Sequence, residues 1–75
     1  MRLADLRVGM TVEALLSSVL GGPSNYYLCE VVRIGTIANP LHPNQTYSGA
    51  ELKVLDTGDI VPLGDTAVSF FVRPS

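Results

Sequence analysis

Glycine and proline interrupt this chain at short intervals, seven and five of them in 75 residues, and the segments between are short and β-branched. Each break ends the regular structure before it. The remaining pieces suit the strands of a small all-β domain. A chain of this length builds one hydrophobic core, so residues 1–75 are expected to form a single domain.

Residues 26–34 (YYLCEVVRI) are the most secure strand, with two aromatics, three β-branched residues and no breaker. Alternation puts Tyr27, Cys29, Val31 and Arg33 on one face, and Tyr26, Leu28, Glu30, Val32 and Ile34 on the other. Both faces are largely apolar, which predicts a central strand or one covered on both sides. Residues 50–55 give a second strand, with Leu52 and Val54 alternating against Glu51, Lys53 and Leu55. Residues 60–63 carry Pro62 and fit an edge. Residues 67–73 (AVSFFVR) read as a closing strand with Val68, Phe70 and Val72 on one face. Residues 39–49 (NPLHPNQTYSG) hold two prolines and no periodicity, and predict a loop.

Residues 12–20 fit two descriptions. Val12, Leu15, Leu16, Val19 and Leu20 make a helical stripe that Thr11 would cap and Gly21-Gly22-Pro23 would stop. A strand instead puts Val12, Ala14 and Leu16 on one face. The expected class is therefore mainly β, a partly open barrel of four to five short antiparallel strands. A short helix at 12–20, giving an α+β chain, is the alternative.

The segment Leu6-Arg7-Val8-Gly9-Met10-Thr11-Val12-Glu13-Ala14 resembles the opening of SH3-like barrels of the Tudor and KOW type. In those modules a Gly turn precedes a first strand carrying an alternating Val. Residues 17–25 are similar to their variable loop, and Tyr26 to the start of their aromatic-led next strand. The resemblance covers about half the chain and implies an SH3-like small β-barrel. It carries over no binding residues. Tudor-type cages combine several aromatics with an acidic residue around a methylated cation. Here Tyr26, Tyr27 and Tyr47 are the aromatics placed to contribute, and KOW-type modules carry more basic charge.

Charged residues make up only 16% of the chain and hydrophobic ones 47%, where about 25% charged is typical of a soluble domain. A small domain has much surface for its volume, so this shortage points to a surface that a partner covers. Net charge is −2, and the basic residues Arg2, Arg7, Arg33, Lys53 and Arg73 are scattered singly. They form no stripe that would neutralise a row of phosphates, which argues against nucleic acid as the partner. No run approaches the roughly 20 apolar residues of a membrane helix, so no membrane association is expected. Asp5 and Arg7 interrupt the apolar run that a signal peptide needs. The expected setting is cytoplasmic, or a virion if the chain is phage-encoded.

Candidate chemistry is thin. Cys29 is the only cysteine, which excludes an internal disulfide, and with His42 it offers a nucleophile and base but no third orienting group. One Cys and one His fall short of a metal set. Asp56-Thr57-Gly58, between Val54-Leu55 and Ile60-Val61, resembles the active-site loop of retroviral-type aspartic proteases. The chain after Gly58 is too short for the flap and substrate walls of those enzymes, so a hairpin turn is expected. Asp56, Asp59 and Asp65 fall in turns near one end and are read as solvated. Glu30, on an otherwise apolar face, is read as paired to Arg33, Lys53 or Arg73, or as a contact for a partner. No enzyme, cofactor or metal is expected.

The residues singled out for protein interaction are Tyr26 and Tyr27, with Leu41, His42 and Tyr47 of the expected loop. Tyrosine is enriched at interfaces because it joins a large contact area to a polar tip. The function expected is non-enzymatic protein–protein interaction or assembly, as an oligomer or as a small structural accessory subunit of a phage-like particle or other complex. A small inhibitor of a host enzyme and an SH3-like module for nucleic acid or ligand are the alternatives.

Overall fold

A computed structural model describes residues 1–17, 24–39 and 41–75. The chain is mainly β. Five antiparallel strands form one open sheet, β1 (Thr11–Leu16), β2 (Asn25–Asn39), β3 (His42–Val54), β4 (Ile60–Gly64) and β5 (Val72–Pro74), ordered β4-β3-β2-β1-β5. One helix, α1 (Asp65–Phe71), lies between β4 and β5, and a short 3-10 turn (Leu3–Asp5) precedes β1. This arrangement fits a small, partly open β-barrel. No described helix is long and apolar enough to cross a membrane.

The ambiguity after Thr11 resolves as a strand over Thr11–Leu16, with Val12, Ala14 and Leu16 buried. The continuation of the alternative helix, at 18–20, lies outside the described residues, as does the turn expected at 21–23. β2 is the spine of the sheet. Its first half pairs with β1, from Leu16↔Asn25 to Thr11↔Glu30, and its second half pairs with β3, from Cys29↔Val54 to Asn39↔His42. The lead-in joins the same spine: Gly9 N–H donates to Val31 O (2.8 Å), and Val31 N–H to Met10 O (2.9 Å).

A β-bulge corrects the expected faces of β2. Val31 pairs with Leu52 and Arg33 with the next residue of β3, Glu51, so Val32 is the extra residue. The bulge flips the alternation. Arg33 leaves the Tyr27-Cys29-Val31 face and forms an ion pair with Glu51 at 2.9 Å, while Ile34 turns inward against the core. Without the extra residue, strict alternation would drive the guanidinium inside.

Of the residues expected as a loop, 42–49 are strand. They belong to β3, whose far half pairs with β2 through Thr36↔Ser48, Ile37↔Tyr47 and Ala38↔Thr46. β4 stops at Gly49↔Gly64, so this end of the hairpin extends as a two-stranded arm. Pro43, with no amide proton, falls in the register shift between Ala38↔Thr46 and Asn39↔His42, where the ladder asks for no hydrogen bond from it.

Residues 67–71 are not a strand, and of the expected segment Val72 and Arg73 belong to β5. Asp65–Phe71 is helical, with Gly64 as N-cap, Asp65 in the first turn and Val72 N–H closing onto Val68 O. The helix turn places Val68 and Val72, four apart, in the core, while Phe70 stands 75% exposed. The core is Leu6, Val12, Ala14, Leu16, Cys29, Val31, Ala50, Leu52, Val54, Val68 and Val72, with Met10, Tyr27, Ile34, Val61 and Leu63 packed against it.

Candidate interaction surface

Residues that alternate with the core positions form the sheet's second face. On β3 the inward set is Ala50, Leu52 and Val54, so Glu51 and Lys53 point the other way, and Leu55, the first residue after the strand, continues that side. On β2, ahead of the bulge, Tyr26, Leu28 and Glu30 share that outer face, and on β1 Thr11 and Glu13 do. Register aligns them in two rows. One row runs Thr11, Glu30, Lys53, Ile60 across β1 to β4. The next runs Arg73, Glu13, Leu28, Leu55 from β5 across β1 and β2 to the end of β3. Leu55 N–H donates to Leu28 O at 3.0 Å, which fixes those two leucines side by side.

Tyr26, Leu28, Leu55 and Ile60 are each 42 to 49% exposed on this face, an apolar patch that the fold does not cover. Its rim is ordered. Arg73 donates to Glu13 at 3.0 Å and lays its guanidinium over the Tyr26 ring, 3.4 Å from the centroid. Cation–π stacking holds that tyrosine's face against the arginine. Glu30 is half-buried and Lys53 exposed, and they are opposite in register. The ion pairs among the described residues are Arg33–Glu51 and Arg73–Glu13, so Glu30 and Lys53 are not joined. Of the three cations considered for Glu30, none pairs with it.

The five residues singled out from sequence do not form one surface. Tyr26 is on the outer face at the start of β2, and its neighbour Tyr27 turns inward against the core. Leu41, 84% exposed, and His42 sit at the tip of the arm, at the other end of β2. Tyr47 is half-buried on the arm opposite Ile37, with its ring over Gly64. Sequence reasoning passed over Leu55 and Ile60 because each lies at a turn junction. The available signal was register: both follow from extending the 26–34 and 50–55 strands across the Asp56–Asp59 turn.

The chemical candidates are kept apart. The Cys29 thiol is buried in the core and donates to Tyr27 O at 3.4 Å, and desolvation pushes its pKa above the ordinary thiol value. His42 is at the arm tip opposite Asn39, ten residues along β2 from Cys29. Asp56-Thr57-Gly58 is an exposed turn in which Gly58, at φ 77°, donates to Val54 O and Asp59 N–H donates to Thr57 Oγ1. Asp65 does not join Asp56 and Asp59 at one end; it starts α1 at the opposite end of β4.

Two hollows remain. One, of about 410 Å³, lies where the sheet fails to close, between Leu15 and Leu16 of β1, Val61 and Leu63 of β4, and Ala67 and Phe71 of α1. The other lies beside Arg2, Arg7 and Asp65. Arg7 there donates to the Ala4 and Leu6 carbonyls, which occupies its guanidinium locally.

Compared with protein-family models, curated proteins and solved structures, the chain matches none of them.

Proposed function

We propose that this chain is a non-enzymatic protein-interaction and assembly module that works through the outer face of its sheet. The observation that carries this reading is the patch of Tyr26, Leu28, Leu55 and Ile60, uncovered on a regular sheet face and bordered by charge. Such a patch costs free energy in water for as long as it stays bare, at about 25 cal/mol per Å² of apolar surface. In so sparsely charged a chain, a partner is the economical cover.

Strand order supports an SH3-like barrel: the sheet runs β4-β3-β2-β1-β5, with a short helix leading into the last strand. The biological setting we favour is a small structural subunit of a larger complex such as a phage-like particle, in keeping with the size and the low charge. A phosphate-binding role is disfavoured by three of the five cations. Arg33 and Arg73 are each held by a carboxylate, and Arg7 by backbone carbonyls.

Two single substitutions test the choice of surface. The tagged chain is used to capture proteins from the cells that make it. Capture is expected to be lost with Leu28→Asp and kept with Leu41→Asp. Equal capture by both variants would move the function off this face.

A further inference from the structure

The outer face is self-complementary, and we infer that its occupant is a second copy of this chain, an inference that rests on the interaction reading above. Consider a two-fold axis lying parallel to the strands, midway between β2 and β3 and just above the outer face. It exchanges β2 with β3 of the other copy while keeping each residue at its own height along the strands. Glu30 and Lys53 stand at one height. Leu28 and Leu55 stand together at the next. The axis therefore sets Glu30 over the partner's Lys53, and Lys53 over the partner's Glu30. In the same way Leu28 meets the partner's Leu55, and Leu55 the partner's Leu28. One operation satisfies both the charge row and the leucine row, which is the isologous rule that residue i meets j and j meets i.

One further observation favours a second copy over an unrelated protein, and the geometry of the axis is consistent with sheet packing. Glu30 and Lys53 face each other across adjacent strands without an ion pair between them, so both remain for an intermolecular partner. The axis also keeps the strands of the two sheets aligned, which is the common way for sheets to pack face to face at about 10 Å. At that spacing, leucine and lysine side chains reach across. The Arg73–Glu13 pair and the Tyr26 ring beneath Arg73 lie at the rim, where an exposed, already paired charge costs little to keep.

Charge reversal tests this by sedimentation velocity. The natural chain should sediment with the mass of two 8.0 kDa chains. Glu30→Lys alone presents only positive charge at the four facing positions, and Lys53→Glu alone only negative. Each should dissociate at least ~10-fold more readily than the natural chain. Mixed in equal amounts, they should form a heterodimer, because every facing pair is then of opposite sign. Effects within one chain cannot produce that rescue. Leu28→Asp should be monomeric, with circular dichroism unchanged. A natural chain that stays monomeric up to about 1 mM would overturn the dimer. So would single variants that dimerise undiminished, or a mixture that stays monomeric. A monomer that still captures a partner through Leu28 would overturn the second copy alone; a monomer whose capture ignores Leu28 would overturn the interaction reading as well.

Discussion

At Gly49 the sheet leaves no space for a side chain. A Cβ there would run into the Leu63 carbonyl oxygen, with Gly64 Cα only 3.1 Å away, and both are backbone atoms that cannot rotate aside. Gly49→Ala should therefore push β4 off β3 and cost about 1–3 kcal/mol, the usual range for overpacking. A lowered urea midpoint with retained cooperativity is the expected result; an unchanged midpoint would mean that β4 does not approach this closely. Cys29 gives a second residue-scale test. Burial raises its folded-state pKa, so the unfolded chain loses this proton first as pH rises. The contribution is intact below the unfolded thiol's pKa and declines through the alkaline range up to the folded value. The natural chain should lose stability there faster than Cys29→Ala, read as the difference between their urea midpoints across pH 7 to 10. Parallel midpoints would place the thiol in water.

Among the elements, the last segment separates two periodicities. A strand over 67–73 would put Val68 and Phe70 on one face, whereas the helix Asp65–Phe71 buries Val68 and leaves Phe70 in solvent. Val68→Ala should cost about 2 kcal/mol and Phe70→Ser less than about 0.5. Equal costs in thermal or urea unfolding would restore the strand. The helical signal was present in the sequence, since Ala67 and Phe71, like Val68 and Val72, are four apart. Period-two alternation of Val68, Phe70 and Val72 masked it, because seven residues are too few to separate the two periods. The bulge at Val32 was hidden for a different reason: a one-residue offset between β2 and β3 belongs to the pairing, and no residue of β2 alone encodes it. The arm was missed because its described residues before Gly49 are exposed, Tyr47 alone being half-buried, so no periodicity appears. Its strand character comes from backbone pairing with β2. Joining Thr36 to Ser48 through Asn-Gly keeps the register of the remaining hairpin and should leave cooperative unfolding in place. It should also leave association through the outer face unchanged. If association is lost, the tip with Leu41 and His42 is the working surface.

For the molecule as a whole, the scarcity of charge has a specific location. The class, the strands at 26–34, 50–55 and 60–63 and the inward set of β3 were legible from alternation and breakers, while the inward set of β1 was legible only on one of two open readings. The working face was not, because it is assembled from four strands whose neighbours only register can supply. Tyr26 and Leu28 come from β2, Leu55 from the end of β3, Ile60 from β4, and Arg73 folds over from β5. In the proposed dimer, the outer-face leucine rows of the two copies and two reciprocal charge pairs would join the sheets as a sandwich.

The most direct test follows backbone amide resonances of the natural chain through a dilution series. Shifts that depend on concentration are expected at Tyr26, Leu28, Glu30, Lys53, Leu55 and Ile60, with the arm residues Leu41, His42 and Asn44 to Thr46 unmoved. A spectrum that does not change with concentration, or one that changes at the arm tip and not on these strands, would contradict the account.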